Sequence, residues 1–271
     1  MDRVVAVTRM SRAVAARLDA WSGTVGHVHS VFERAINLQW PDGSLLALHG
    51  PGPLLAPFAA AVDDVEPLRW LRIGTPVTIG ARRLVAEGLS IPWPRVEVVD
   101  CSVDTAGGRG GRSTRHLRHW RGRHSASLDS APGVAGRARL AAAIRERDAA
   151  RLIAGAVTLL GLGDGLTPSG DDCLVGALAV LHHVDREWLP RGGASAVGAI
   201  AGSALERTTT IGREFVLHAL AGRFSEPVLA VLRAISPDEQ RRAVACLVRL
   251  GATSGADTLC GMRLACRSLA A

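Results

Sequence analysis

The hydrophobic period changes once along the chain, and that change calls for two different folding units. Before about residue 100 apolar residues fall in short, partly alternating runs separated by turn residues; from Arg137 onward they recur every three or four residues. The first pattern is that of strands and the second that of amphipathic helices. RAINLQWPDGSLLALHG, Arg34–Gly50, is the strongest hairpin signal: Ile36, Leu38 and Trp40 share one face, Pro-Asp-Gly turns the chain, and Leu46 and Leu48 return. GTVGHVHSVF, PVTIGARRLVAEGLSIPW and VEVVD supply further strands. One helix is expected over Ser11–Trp21 and another near Leu54–Val62. The expected fold is therefore α+β: an antiparallel β-rich, barrel-like domain over residues 1–106, then a mostly α-helical domain over residues 136–271.

In the second region RARLAAAIRERDAARLIAGAVTLLG, Arg137–Gly161, carries apolar residues at Leu140, Ile144, Leu152, Val157 and Leu160. Five more helical segments follow, and Pro227 and Pro237 stand near helix starts, where a missing N–H is cheap. Between the two regions, residues 107–135 are dominated by Gly, Ser and Arg and lose any hydrophobic period. They read as a basic, solvated linker or, more sharply, as a basic arm in which Trp120 stacks on a base.

Charge separates these alternatives. Every one of the 32 basic residues is arginine, and the net charge is +7. Residues 1–108 carry a net −1, residues 109–135 a net +5 and residues 136–271 a net +3. The excess is thus concentrated in one short segment and does not form a broad basic face, which argues against a nucleic-acid partner. Five scattered cysteines without a CxxC pair do not form a disulfide framework or a zinc ribbon and fit a reducing cytoplasm. The longest apolar runs, such as Leu152–Leu162, are too short to span a bilayer, so no membrane partner is expected.

The stretch with the most chemistry is GLGDGLTPSGDDCLVG, Gly161–Gly176. Glycines at 161, 163 and 165 interrupt a helical pattern, each at about 1 kcal/mol relative to alanine. Thr167 is the expected N-cap and Pro168 the first helical residue, with Ser169, Gly170, Asp171 and Asp172 forming the first turn. Such a loop presents N–H groups and the positive end of a helix dipole to a phosphate or carboxylate. Aspartates here also stabilise the dipole itself. Two adjacent carboxylates suit either a divalent cation such as Mg²⁺ bridging to the ligand or a grip on a cationic or amide group, and the residues do not choose between them.

TSGADTLCG, Thr253–Gly261, repeats this unit at a constant offset of 85 residues: Ser169–Gly170 matches Ser254–Gly255, Asp172 matches Asp257, Leu174 matches Leu259, and Gly176 matches Gly261. A duplicated helix start predicts two N-termini that converge on one pocket for a small anionic substrate. The residues expected to carry catalysis are Asp171, Asp172 and Asp257; those expected to bind substrate or phosphate are Gly163, Gly165, Thr167, Ser169, Gly170, Ser254 and Gly255. His27 and His29, two apart on a strand, lack a third metal ligand. Thr208–Thr210 offers hydroxyls for either a ligand or packing, and Cys173 reads as core.

GLGDGLTPSGDDCLVG, ERTTT at Glu206–Thr210, HALAGRF at His218–Phe224 and GATSGADTLCG together resemble the AllH-type family, which includes a subunit of oxamate carbamoyltransferase. HSVFERAINL, His29–Leu38, is similar to that family's opening strands. The resemblance implies transfer of a carbamoyl group between carbamoyl phosphate and oxamate, linking oxalurate to carbamoyl phosphate in purine-ring (allantoin) catabolism. It also implies partner subunits, one of them similar to a succinyl-CoA synthetase. The chain departs from the family at Asp164, where the motif often reads GLGPG, and in its long basic seam. A non-catalytic anion-binding or assembly subunit is the alternative.

Overall fold

The computed structural model describes residues 3–52, 54–80, 82–103, 115–184 and 188–271. The chain divides into two compact units, Met1–Cys101 and Ser102–Ala271.

The first unit is a curled sheet of ten strands, a half-barrel. In chain order these are β1 (Arg3–Val4), β2 (Val7–Ser11), β3 (Val25–Val31), β4 (Ala35–Gln39), β5 (Leu45–His49), β6 (Ala59–Val62), β7 (Pro76–Gly80), β8 (Arg83–Ala86), β9 (Leu89–Pro92) and β10 (Glu97–Val99). They lie in the order β1-β9-β8-β7-β3-β4-β5-β6-β2-β10. The hairpin predicted at Arg34–Gly50 forms with Ile36 opposite Leu48 and Leu38 opposite Leu46, all buried. Its turn is set by Gly43 at φ +81, a conformation that favours glycine. Below it Trp21 stacks on Trp40 with ring centroids 4.4 Å apart.

Two details differ from the sequence expectation. The sheet is mixed, because β1 joins β9, β10 joins β2 and β5 joins β6 in parallel. The helix expected near Leu54–Val62 is replaced by β6, whose Ala-Ala-Ala-Val is wholly buried between β5 and β2. Pairing on both edges outweighs alanine's helical preference, and the small side chains let the strand sit in a crowded layer. The Ser11–Trp21 region forms two short helices, α1 (Arg12–Ala15) and α2 (Leu18–Trp21), the first capped by the Ser11 hydroxyl accepting from Val14 N at 3.1 Å.

The second unit is helical: α3 (Ala126–Asp129), α4 (Ala131–Glu146), α5 (Ala149–Leu159), α6 (Ser169–Val184), α7 (Trp188–Arg207), α8 (Thr210–Leu220), α9 (Glu226–Arg233), α10 (Pro237–Val248) and α11 (Ser254–Ser268). Arg147, at φ +54, breaks the long Arg137–Gly161 pattern in two, and Asp148 caps the second piece by accepting from Arg151 N at 3.0 Å. Of the basic segment, residues 107–114 lie outside the described residues. The remainder belongs to the helical unit: Arg115–His119 forms a 3₁₀ turn, and Leu117 and Leu128 are buried in its core. Two leucines suffice to anchor a stretch whose composition reads as solvated.

Helix α6 is the centre of this unit. Its residues Ser169 to Leu181 are all buried, and it packs most closely against α11. A Cβ on Gly176 would lie 1.9 Å from the Thr258 carbonyl oxygen and 3.0 Å from Met262 N; a Cβ on Gly261 would lie 1.8 Å from the Cys173 oxygen and 3.0 Å from Ala177 N. Under the 85-residue offset these two sets of contacts are the same set exchanged. The duplicated helices therefore cross about a local twofold axis, through a point where neither backbone leaves room for a side chain. Among the described residues no helix is long and apolar enough to cross a membrane.

Candidate functional site

The local symmetry extends back into the two loops that start α6 and α11. In each, a leucine N–H turns back onto the leucine carbonyl three residues before it, Leu162 to Leu159 at 2.9 Å and Leu250 to Leu247 at 3.0 Å. The serine-glycine pair then closes the loop, with Gly170 N donating to Leu162 O at 2.8 Å and Gly255 N to Leu250 O at 3.1 Å. Both glycines are required by contact: an added Cβ would meet Leu159 O at 1.9 Å and Leu247 O at 1.7 Å. Gly163 and Gly165 hold φ of +106 and +99 in the first loop, and Gly251 a φ of +59 in the second. Helix α6 begins at Ser169, and the Pro168 carbonyl accepts from Asp171 N and Asp172 N. Pro168 thus sits just before the helix, one place earlier than expected.

The two helix starts meet. Thr167, expected to cap its own helix, reaches instead across the axis to Ser254, hydroxyl to hydroxyl at 2.8 Å. Both hydroxyls also face Asp172. Burial pushes the Asp172 carboxyl well above the ordinary range, the negative charges of Asp257 and Asp171 push it further, and the two hydroxyls only partly offset this. Asp172 and Asp257 are thus neighbours, as the duplication predicts. Asp257 Oδ1 accepts from Ser125 N at 2.7 Å, so the end of the basic segment closes over it. The other oxygen of each, Oδ2, is buried without a hydrogen-bond partner. Unsatisfied buried acceptors are expensive and uncommon.

Asp171 is engaged differently. Its Oδ1 accepts from Gly161 N at 2.8 Å and its Oδ2 from the Thr208 hydroxyl. Burial raises its pKa to about 6 against the pull of these two bonds. Thr209 caps α8, accepting from Gly212 N at 2.9 Å, and donates to Leu166 O. The threonine run therefore serves to tie the glycine loop to α8.

The N–H groups of Gly170, Asp171 and Asp172 donate within the loop, and the buried side-chain oxygens left without a partner at this centre are Oδ2 of Asp172 and of Asp257. All three aspartates are under a tenth exposed. They line neither the cavity along α4 and α11 nor the two in the first unit. His27 and His29 lie on β3, where the register slips between Val28 and Ser30, and among the described residues no three His, Cys, Asp or Glu side chains are grouped as metal ligands.

Sequence reading missed what lies immediately beside Asp257. Cys173 and Cys260 meet across the α6–α11 contact; the Cys173 S–H, together with the His124 and Arg137 charges, draws the Cys260 thiol down. Arg137 reaches Cys260 Sγ at 3.7 Å, the Leu128 carbonyl at 2.8 Å and Asp129 at 3.3 Å. The three-residue step from Asp257 to Cys260 was the available signal, since it places both on one helix face.

No solved structure matches the chain. Residues 159–266, which contain both helix starts, match the family model described as oxamate carbamoyltransferase subunit AllH, and residues 5–98 match the AllH family N-terminal domain. Together these cover most of its length, and the chain belongs to the AllH family.

Proposed function

We propose that this chain is the subunit of a carbamoyltransferase that holds a small carboxylate amide, oxamate or its carbamoyl derivative oxalurate, while the carbamoyl group passes to or from phosphate. The reading rests chiefly on the two unpartnered Oδ2 atoms of Asp172 and Asp257 at the meeting point of the duplicated helix starts. An amide is a donor-and-acceptor group. A carboxyl that keeps its proton, as burial favours at Asp172, donates to a carbonyl, and the free oxygen of Asp257 accepts from an N–H. In phosphorolysis of oxalurate the carbamoyl C–N bond breaks, a phosphate oxygen bonds to the carbamoyl carbon, and the departing oxamate nitrogen takes a proton. In this reading Asp172 supplies that proton, and Asp171 positions the loop that carries it.

The burial of all three aspartates favours a second reading, in which the chain is a non-catalytic anion-binding or assembly subunit and a partner, such as one resembling a succinyl-CoA synthetase, performs the chemistry. Oxalurate phosphorolysis is assayed with the chain alone and with its partner subunits, with and without Mg²⁺. Asp172→Asn and Asp257→Asn are each expected to lower turnover by about 100-fold or more while the helical circular dichroism is kept. Full activity in both variants, with the complex intact, sinks the first reading and leaves the second.

A further inference from the structure

A cleft of about 400 Å³ runs along α4 and α11 in the helical unit, lined by Arg137 and Arg145 from α4 and by Arg263 and Arg267 from α11. Ala141, Cys260, Leu264, Ser268 and Ala271 complete its walls, and no acidic side chain lines it. Elsewhere in this unit arginines sit beside acids: Arg151 on Glu146 and Asp148, Arg241 on Asp238. Inside the cleft only Arg137 has such a partner, Asp129 at 3.3 Å. Among the described residues Arg145, Arg263 and Arg267 form no ion pair, and the Nε atoms of Arg137 and Arg263 are buried without a hydrogen-bond acceptor.

Four arginines line one cavity, and unlike lysine or histidine they cannot relieve their mutual repulsion by losing a proton. Such a cluster is stabilised by an anion from outside. A planar N–H fork pairs with a carboxylate or a phosphate alike, but a phosphate brings more oxygens and more charge and so serves several arginines at once, and the volume falls within the range of small-molecule pockets.

We propose that this cleft binds the phosphate group of a small phosphorylated molecule, with Arg263 and Arg267 as its principal ligands and Arg137 and Arg145 closing around it. At 1.5 Å per residue these two arginines lie roughly 9 and 15 Å along α11 beyond Asp257, while Cys260, beside the acid pair, forms the near end of the cleft. It does not depend on the carbamoyl reading.

The test is calorimetric titration of the full chain with inorganic phosphate and pyrophosphate, and with acetate as a carboxylate control at matched ionic strength. Saturable binding at one site is expected, tighter for pyrophosphate than for phosphate and weakest for acetate. Arg263→Gln with Arg267→Gln weakens pyrophosphate at least tenfold, whereas Arg95→Gln in the first unit, an equal change in charge, leaves it unchanged. Arg267→Lys retains the charge but loses the fork, and so weakens binding even if the double variant fails to fold. No saturable binding, acetate binding as tight as phosphate, or wild-type affinity in Arg267→Lys overturns the assignment.

Discussion

The loop that starts α6 is three residues longer than the one that starts α11, measured from Leu159 to Gly170 and from Leu247 to Gly255. The two share their leucine turn, their serine-glycine closure and their inner aspartate, Asp172 or Asp257. They differ where the first has Asp171 and the second Ala256. The extra length and the extra acid go together: Asp171 accepts from Gly161 N and Thr208, and so pins the longer loop to α8. The comparison teaches that the shared parts build the meeting point and the added parts brace one side of it. A duplicated unit has been kept alike where the two copies touch and altered where each faces its own neighbours.

The shared part is where substitution should do most damage. Gly176→Ala and Gly261→Ala each thrust a methyl to within 2 Å of a backbone oxygen on the other helix. Both should cost about 4 kcal/mol or more, an exceptional size for one methyl, read by urea unfolding. If one is tolerated and the other is not, the two copies do not cross symmetrically.

The added part should show itself in pH dependence. Asp171 has a folded pKa near 6, above its unfolded value of 3.8. Between these values the folded chain retains a proton that the unfolded chain has released, so this group's contribution to stability falls as pH rises from about 4 to 6 and is level above that. Asp171→Asn keeps an acceptor for Gly161 and a donor for Thr208. It should remove about 3 kcal/mol of that slope. An unchanged stability–pH curve would place the titration elsewhere.

How much of this was legible in the sequence follows the same division. The crossing point was, because close contact demands glycine at particular places and the demand is written twice, 85 residues apart. The hairpin at Arg34–Gly50 was legible for a similar reason, since turn and alternation are both local. The strand at Ala59–Val62 was not, because its identity comes from two neighbours distant in sequence. Neither were Leu117 and Leu128, single anchors in a basic stretch with no period to reveal them, nor the bracing role of Asp171, which depends on where Thr208 arrives. The break at Arg147 had a signal that was passed over, the N-cap aspartate Asp148. The arginine cleft left only a faint trace, since arginines spaced along two separate helices do not announce that they share a cavity.

The smallest expected effect has the opposite sign. Gly198 and Gly202 lie on α7, and an added Cβ at either meets nothing within 4 Å. Gly198→Ala should stabilise the protein by about 0.5–1 kcal/mol, raising the melting temperature by a few degrees. A loss there would mean that α7 also has a close neighbour at this position.

The distance between the duplicated helices has a consequence during synthesis. Helix α6 is buried from Ser169 to Leu181, and the helix that covers it leaves the ribosome 85 residues later. At ordinary elongation rates that is an interval of roughly 4–17 s. For that time the nascent chain carries its most adhesive segment without its partner, so the helical unit should lean on a holdase chaperone far more than the sheet unit, whose strands are made and matched within the first hundred residues.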